Sequence, residues 1–528
     1  MINGYWVPVL HSHLPFVKHP EYDNFLEEHW LFEAITECYI PLLRRLRLLE
    51  EEGIDFKLTV SITPPLAEML DDAHLMEKYK KYLEKLIELG NKEVKRTVGD
   101  EEFHELAIFY RDIFEQSEEF FKGFLEENVL NGYRYFYDKG SLEVITCGAT
   151  HGFLPLLSVN EQAVRTQIEI AVQSHKKHFN KAPKGIWLPE CAYYDGLDKI
   201  LNEKGVKFFI VDSHALTYGR PTAVNGVYAP CYTPNSVAAF ARDAHSSKQV
   251  WSSKEGYPGD FAYRDFYRDI GYDLDFEYIR PYINPDGIRV FTGFKYHKIT
   301  GASDYKEAYN PKIAKEKTIG HAKDFIAKRE EQIFGLKNLM SKSPMIVSPY
   351  DAELFGHWWF EGPEFLYNIF KQLNENENIK AITPIEYLNM NPQNQMVKPN
   401  PSSWGDKGYY DVWLNNTNSW IYRHLHEMAI NMEEKALEYF HTTDFNTTRV
   451  LNQMLRELLL AQSSDWAFLM TTATATEYSV NRTKEHISNF NELLGMIEDN
   501  NIDFDKLQYC EYKNSIFNFI DFKIFITS

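Results

Sequence analysis

Cysteine is scarce. The 528-residue chain carries five, at Cys38, Cys147, Cys191, Cys231 and Cys510. The number is odd, the spacing is irregular and no Cys-x-x-Cys pair occurs. That excludes a disulfide framework and a zinc ribbon, and it points to a reducing compartment. Positive charge is also in deficit, with 56 Lys and Arg against 76 Asp and Glu, a formal net charge of −20. Nucleic acid and anionic membranes need clustered Lys and Arg, so neither is an expected partner. A neutral polymer is not repelled. Long apolar runs are missing too. No stretch approaches membrane-spanning length, and the N-terminus lacks the basic start and apolar core of a signal peptide. The chain is expected to stay in the cytoplasm. It has no internal repeat and no low-complexity tract.

What the sequence has in excess is rings: 33 Tyr, 36 Phe and 10 Trp, or 15% aromatic. Most belong in a core. Flat rings with polar edges also suit sugars, which present C–H faces and hydroxyl rims. Short apolar runs at residues 5–10, 56–63, 142–147, 185–188, 208–211, 288–294 and 345–348 read as buried strands. Many end in a polar or titratable residue: His11 and His13, His151, Glu190, Asp212 and His214, Asp351. A parallel α/β barrel produces this order of strand, polar tip and helix, with the site at the C-terminal tips. A doubly wound open sheet produces it as well, and periodicity does not choose between them.

Residues 73–139 are charged and helical in pattern, and read as a helical insertion. Residues 217–242 are irregular and Pro/Gly-rich, and are expected to form an active-site loop. A linker is expected at 391–401, where three Pro and three Asn fall together. Beyond it the pattern is helical, with Ile421, Leu425, Met428, Met432 and Ala436 on one stripe. The division this suggests is a catalytic unit over 1–390 and a helical domain over 402–528.

Three clusters could carry chemistry. His11 and His13 alternate along one strand, so their imidazoles share a face. They suit either hydrogen bonding to sugar hydroxyls, the favoured reading, or a metal site that recruits further ligands. Glu190 follows Trp187, Leu188 and Pro189 and precedes Tyr193 and Tyr194, which places its carboxylate in a ring-lined cleft. Residues 349–359 gather Asp351, Glu353, His357, Trp358 and Trp359. A pure core would bury too many of those polar groups, and a pure surface would expose too much ring. A pair of carboxylates across a glycosidic bond is the usual machinery of glycoside chemistry. Either Asp351 or Glu353 could partner Glu190. Trp404, Trp413 and Trp466 in the helical part are either sugar-stacking or core.

These motifs resemble glycoside hydrolase family 57, in particular its α-1,4-glucan branching enzymes and α-amylase-like bacterial members. Five regions carry the likeness: His11 to Pro15, Gly148 to Phe153, Trp187 to Tyr193, Pro349 to Trp358, and Leu451 through Trp466. The resemblance implies an incomplete seven-stranded (β/α) barrel with a helical insertion and a C-terminal all-helical domain. It implies Glu190 as nucleophile and Asp351 as general acid/base of a retaining double displacement that needs no cofactor or metal. His11, His13, His151, Trp404, Trp413 and Asp465 match substrate-binding positions, to which Trp187, Trp358 and Trp466 are added as neighbours. Branching relatives use a loop tyrosine over the site, which makes Tyr228 and Tyr232 the candidates here. The implied reaction is transfer of an α-1,4-glucan chain to a 6-hydroxyl with some hydrolysis, on a monomer or weak homo-oligomer. The alternatives are an α-amylase-like hydrolase, a metal-dependent hydrolase or deacetylase built on His11 and His13, and a non-catalytic glucan-binding protein.

Overall fold

The computed structural model describes residues 2–252, 254–301 and 303–528. Among the described residues there are nine strands: β1 (Gly4–Ser12), β2 (Leu58–Ile62), β3 (Leu142–Ile145), β4 (Gly185–Trp187), β5 (Phe208–Val211), β6 (Cys231–Tyr232), β7 (Ala238–Ala241), β8 (Met345–Asp351) and β9 (Ile379–Ala381). Seven of them form a curved parallel wall in the order β8, β1, β2, β3, β4, β5, β7. A bridge between Thr146 and Ile186 joins β3 to β4. Among the described residues no ladder joins β7 to β8; the N–H of Asp243, just past β7, donates to the Val347 carbonyl at 2.9 Å. The result is an incomplete (β/α) barrel.

Side-chain alternation divides the strand residues between two cores. Val7, Val9, Cys147, Trp187, Ile210, Phe240, Met345 and Val347 pack together inside the wall. Trp6, Leu10, Val60, Phe209 and Ile346 belong to the larger core beneath the surrounding helices. Strands covered on both sides read as nearly unbroken apolar runs, which is why they were legible in sequence. By the same parity His11 continues the inward row of Val7 and Val9, and Asp351 continues that of Met345 and Val347.

Three helices, Ala73–Arg96, Glu101–Lys122 and Val129–Lys139, occupy the insertion. The side chains of Asp72, Asp100 and Asn128 cap their N-termini. From Trp420 onward the chain is mostly helical, with helices Trp420–Glu438, Phe445–Ala461, Ser464–Thr472, Thr476–Glu498, Phe504–Lys513 and Ile524–Thr527. Among the described residues no helix is long and apolar enough to cross a membrane.

Two expectations are corrected. Residues 288–294 form no strand, because the carboxylate of Asp269 accepts the backbone N–H of Thr292 and Gly293 that a ladder would need. The segment 217–242 is not a loop over the strand tips. It contains β6 and β7, and most of it lies at the opposite end of the wall. The Tyr228 carbonyl accepts from the N–H of Met345, the first residue of β8, and Tyr232 pairs with Ala238, the first residue of β7.

One local device holds the Asp351 end of β8. Residues Ile35–Tyr39 make a π-helical turn between two α-helices; such turns are short and often sit at functional sites. Cys38 Sγ donates to the Ala352 carbonyl at 2.9 Å and Tyr39 Oη to Glu353 Oε1 at 2.5 Å. Glu37 pairs with His357 at 2.7 Å. Gly356, with φ +119°, lies so close that an added Cβ would fall 1.8 Å from the Glu37 carbonyl oxygen. Gly356→Ala is therefore expected to cost more than about 2 kcal/mol and to lower the thermal inactivation temperature. Gly320→Ala is the control. It lies on the exposed side of the helix Pro311–Lys337 with open space around it, and should hold or raise that temperature. Equal behaviour of the two variants would refute the clamp.

Candidate functional site

A cleft of about 890 Å³ opens at the C-terminal tips of the strands, within the usual range for small-ligand sites. His11, His13, His151, Glu190, Asp351, Trp358, Trp404, Trp413 and Asp465 all line it, together with Arg242, Trp251 and Glu353. The barrel and the C-terminal helical part both contribute to this lining.

Its floor is the top layer of the inner core. Trp187 is fully buried, and its ring stacks on that of His11 with centroids 4.5 Å apart. Trp187 therefore supports the cleft from beneath and does not line it. On β1, His11 is in register with Ser61 of β2 and Asp351 of β8. In a parallel pair such partners face the same side, so the imidazole and the carboxyl enter the cleft side by side. His11 Nδ1 lies 3.2 Å from Ser61 Oγ, and its Nε2 lies 3.1 Å from His151 Nε2. His151 Nδ1 meets Ser464 Oγ at 2.9 Å. His13 Nδ1 meets Thr63 Oγ1 at 3.0 Å, and His13 Nε2 sits 2.9 Å from both oxygens of Asp465.

Glu190 stands on an unusual backbone. It follows β4 in a tight turn with φ 60°, and Cys191 follows with φ 51°. Two successive left-handed non-glycine residues are strained, at about 1–3 kcal/mol each. The turn is held by Trp404, whose backbone N–H donates to the Glu190 carbonyl at 3.0 Å. Its indole Nε1–H donates to Glu190 Oε2 at 2.8 Å, and Ser464 Oγ reaches Oε1 at 3.4 Å.

The electrostatics differ from group to group. Burial pushes Asp351 well above the usual carboxylate range, Glu353 and then Glu190 push it further, and only Arg242 opposes. Burial also raises Glu190, but the bonds from Trp404 and Ser464 and the charge of His13 oppose it, and it is pushed up to about 7. Burial depresses His11 and His151 well below the usual imidazole value, and neighbouring histidines add to this, so both are neutral. Burial would depress His13 as well, but the charge and hydrogen bond of Asp465 outweigh it and its proton is held more tightly. Burial likewise opposes ionisation of Asp465, yet the His13 pair holds that carboxyl at about 2. In chemical terms the cleft offers one carboxyl that keeps its proton, one carboxylate supported by donors, two neutral imidazoles and an imidazolium–carboxylate pair. The first two match an acid and a nucleophile or base. The rest can hold sugar hydroxyls.

Zinc-type ligand atoms also converge here. Those of His13, His151 and Asp465 lie within 4.8 Å of one another, as do those of His11, Cys147 and His151. A His/His/Asp set could take a divalent transition metal, whose ligands are deprotonated. It would have to displace the proton that His13 shares with Asp465.

Other expected residues lie elsewhere. Trp466 is buried in the helical part, and its Nε1–H donates to the Leu460 carbonyl at 2.8 Å, so it is core. Tyr228 and Tyr232 belong to the far end of the wall and cannot cover the cleft. Trp413 lines the cleft but is almost fully buried, stacked on Phe153 at 4.5 Å. Sequence reasoning missed Arg242, which ion-pairs with Asp212 and lies beside Trp404, because β7 before it is Ala-rich. It also missed Trp251. Trp404→Phe removes the donor that favours ionised Glu190, so Glu190 should lose its proton only at higher pH. The acid limb of the kcat/KM–pH profile should move up by about one unit; an unmoved limb would show that the bond is idle.

Comparison with known proteins gives a consistent set. A family model described as glycosyl hydrolase family 57 matches residues 8–400, and one described as 1,4-alpha-glucan branching enzyme, C-terminal, matches 424–525. A curated 1,4-alpha-glucan branching enzyme of Thermococcus kodakarensis is 32% identical, over 98% of this chain and 78% of its own. A probable 1,4-alpha-glucan branching enzyme of Mycobacterium tuberculosis is 28% identical, over 94% of this chain and 93% of its own. Among solved structures, the alpha-amylase AmyC of Thermotoga maritima aligns with TM-score 0.93 and 48% identity over 99% of both chains. A branching enzyme of Pyrococcus horikoshii aligns with TM-score 0.88 and 33% identity, over 99% of this chain and 97% of that one.

Proposed function

The chain belongs to glycoside hydrolase family 57, and on that premise we propose that it is a 1,4-α-glucan branching enzyme. It cleaves an α-1,4 linkage with Glu190 as nucleophile and Asp351 as general acid/base, and passes the chain to a 6-hydroxyl. The observation that carries this reading is the inequality of the two carboxyls. Glu190 is given an indole N–H and a serine hydroxyl, while Asp351 is buried beside two other acids. A retaining mechanism asks for this division. Glu190 attacks as a carboxylate and forms the glycosyl ester; Asp351 delivers its proton to the leaving oxygen, then takes one from the acceptor hydroxyl. His11, His13, His151, Trp404, Trp413 and Asp465 bind the glucan, and Trp358 forms part of the rim.

We assign residues 1–390 to the catalytic unit and 402–528 to the helical domain, supported by the helices from Trp420 onward and by the convergence of Trp404 and Asp465 with the strand tips. Five buried, unlinked cysteines support a cytoplasmic setting. Hydrolysis is the second reading. The similarity to an alpha-amylase favours it, as does the placement of Tyr228 and Tyr232 far from the cleft, which leaves water better access to the glycosyl ester.

Linear amylose decides between them. Branching yields α-1,6 protons by NMR and a fading iodine colour without matching reducing ends; reducing ends alone mean an amylase. Glu190→Gln and Asp351→Asn should each lower turnover by at least about 10³-fold with melting unchanged. A non-catalytic glucan binder would show no such drop. Dialysis against chelator separates the metal reading, which predicts loss of activity where the carboxylate reading predicts none.

A further inference from the structure

The rim of the cleft continues outward along a row of rings that the reaction itself does not require. Trp358 is 56% exposed, and its ring stacks on Phe266 at 4.4 Å and 25°. Phe266 meets Tyr267 at 5.2 Å and Phe291 at 5.3 Å, both edge to face. Phe291 meets Tyr272 at 5.3 Å. Beyond Trp358 the row presents Tyr267, 76% exposed, and Tyr272, 49% exposed. Large exposed rings in a contiguous strip are unusual on a soluble surface and mark a contact.

The strip is held rigidly. It lies in a long connection with little regular structure, yet at its centre is a buried ion pair. The Asp269 carboxylate accepts from the N–H groups of Gly271, Thr292 and Gly293 and from the Thr292 hydroxyl. Lys295 Nζ lies 3.4 Å from Asp269 and donates to the Phe266 carbonyl at 2.6 Å. The same ammonium sits 3.6 Å from the centroid of Phe291 and 5.0 Å from that of Phe266. Burying a charge pair contributes little net stability, but it fixes geometry when every partner is satisfied. Here it fixes the backbone that bears Tyr267 and Tyr272.

We infer that this strip is an extended glucan-binding track, joining the cleft at Trp358 and carrying a long α-glucan chain outward over Tyr267 and Tyr272. The inference rests on the proposed α-glucan activity of the cleft and adds a chain-length preference to it. A linear α-glucan presents a C–H face at each sugar, and successive rings can cover successive faces. Continuity with the cleft through the stacked Trp358–Phe266 pair selects this occupant, and a chain too short to leave the cleft does not reach the track.

The test is binding of long-chain amylose and of maltoheptaose to the Glu190→Gln protein, so that no turnover intervenes, with and without Tyr267→Ala and Tyr272→Ala. Each ring offers a few tens of Å² of apolar contact, so removing both should raise the dissociation constant for amylose about tenfold and leave that for maltoheptaose within about twofold. The Tyr267→Phe, Tyr272→Phe protein keeps both rings and should bind amylose like the parent. Equal weakening for the two ligands, no weakening for either, or failure of the Phe pair to restore binding would overturn the track. Failure of the activity reading shows separately, as an unsubstituted protein that does not turn over amylose.

Discussion

Taking water away from a carboxylate raises its affinity for a proton, and in this cleft that constraint falls on four carboxyl groups at once. Asp465 escapes it by pairing with His13. Glu353 is only partly relieved, by the Tyr39 hydroxyl and the His13 N–H, and stays raised. Glu190 receives Trp404 and Ser464. Among the described residues no hydrogen-bond donor meets Asp351, whose one opposing influence is the charge of Arg242. The first proton taken up by the pair therefore goes to Asp351. The titration belongs to the coupled pair, yet its order is set by which member has donors. The rest of the structure can be understood as what keeps those donors in place.

Much of that work is done by backbone in uncommon conformations. His151, Glu190 and Cys191 all have positive φ without being glycine. Each follows an inner strand, at the point where the chain turns from wall to cleft. The left-handed turn at Glu190 aims its carboxyl back across the strand tips toward Trp404 and Ser464. The π-helical turn at Ile35–Tyr39 acts on the other side. Its extra residue per turn brings Glu37, Cys38 and Tyr39 together against residues 352–357. One carboxylate is thus held by the helical C-terminal part and the other by the first connection of the barrel. The cleft exists only where these two supports meet.

The sequence showed the strand tips well, because two-sided burial writes parallel strands as apolar runs and the tips break those runs with His, Glu and Asp. It also pointed to a cleft at residues 349–359, where Asp351, Glu353 and Trp358 line the cavity while Tyr350, Phe355 and Trp359 are core. It misled where a residue's role depends on what takes its backbone hydrogen bonds. Residues 288–294 have the composition of a strand, but Asp269 captures the donors at Thr292 and Gly293. Ala238–Ala241 is a strand without strand-like composition, made by its neighbours β5 and β6, so Arg242 at its tip passed unnoticed. Tryptophan was ambiguous for another reason. Trp187, Trp413 and Trp466 are all buried, yet only Trp413 of the three lines the cleft. Burial of an indole does not say which wall it is buried in.

The position of residues 217–242 follows from topology more than from composition. A chain leaving β5 at the cleft end must come back to the opposite end before β7 can run parallel to it. The later part of any such connection is therefore carried away from the cleft, and Tyr228 and Tyr232 fall in that part. Cover over the sugar site has to come from chain that leaves a strand tip and stays near it. After β7 that chain brings Trp251 to the rim, edge-on to Trp404 at 6.1 Å, and after β8 it brings Trp358. These rings border the proposed sugar site from two sides, and their flat faces suit the C–H faces of a second glucan chain. On the proposed reading, partition between transfer and hydrolysis would depend on how long an acceptor chain stays seated on that rim.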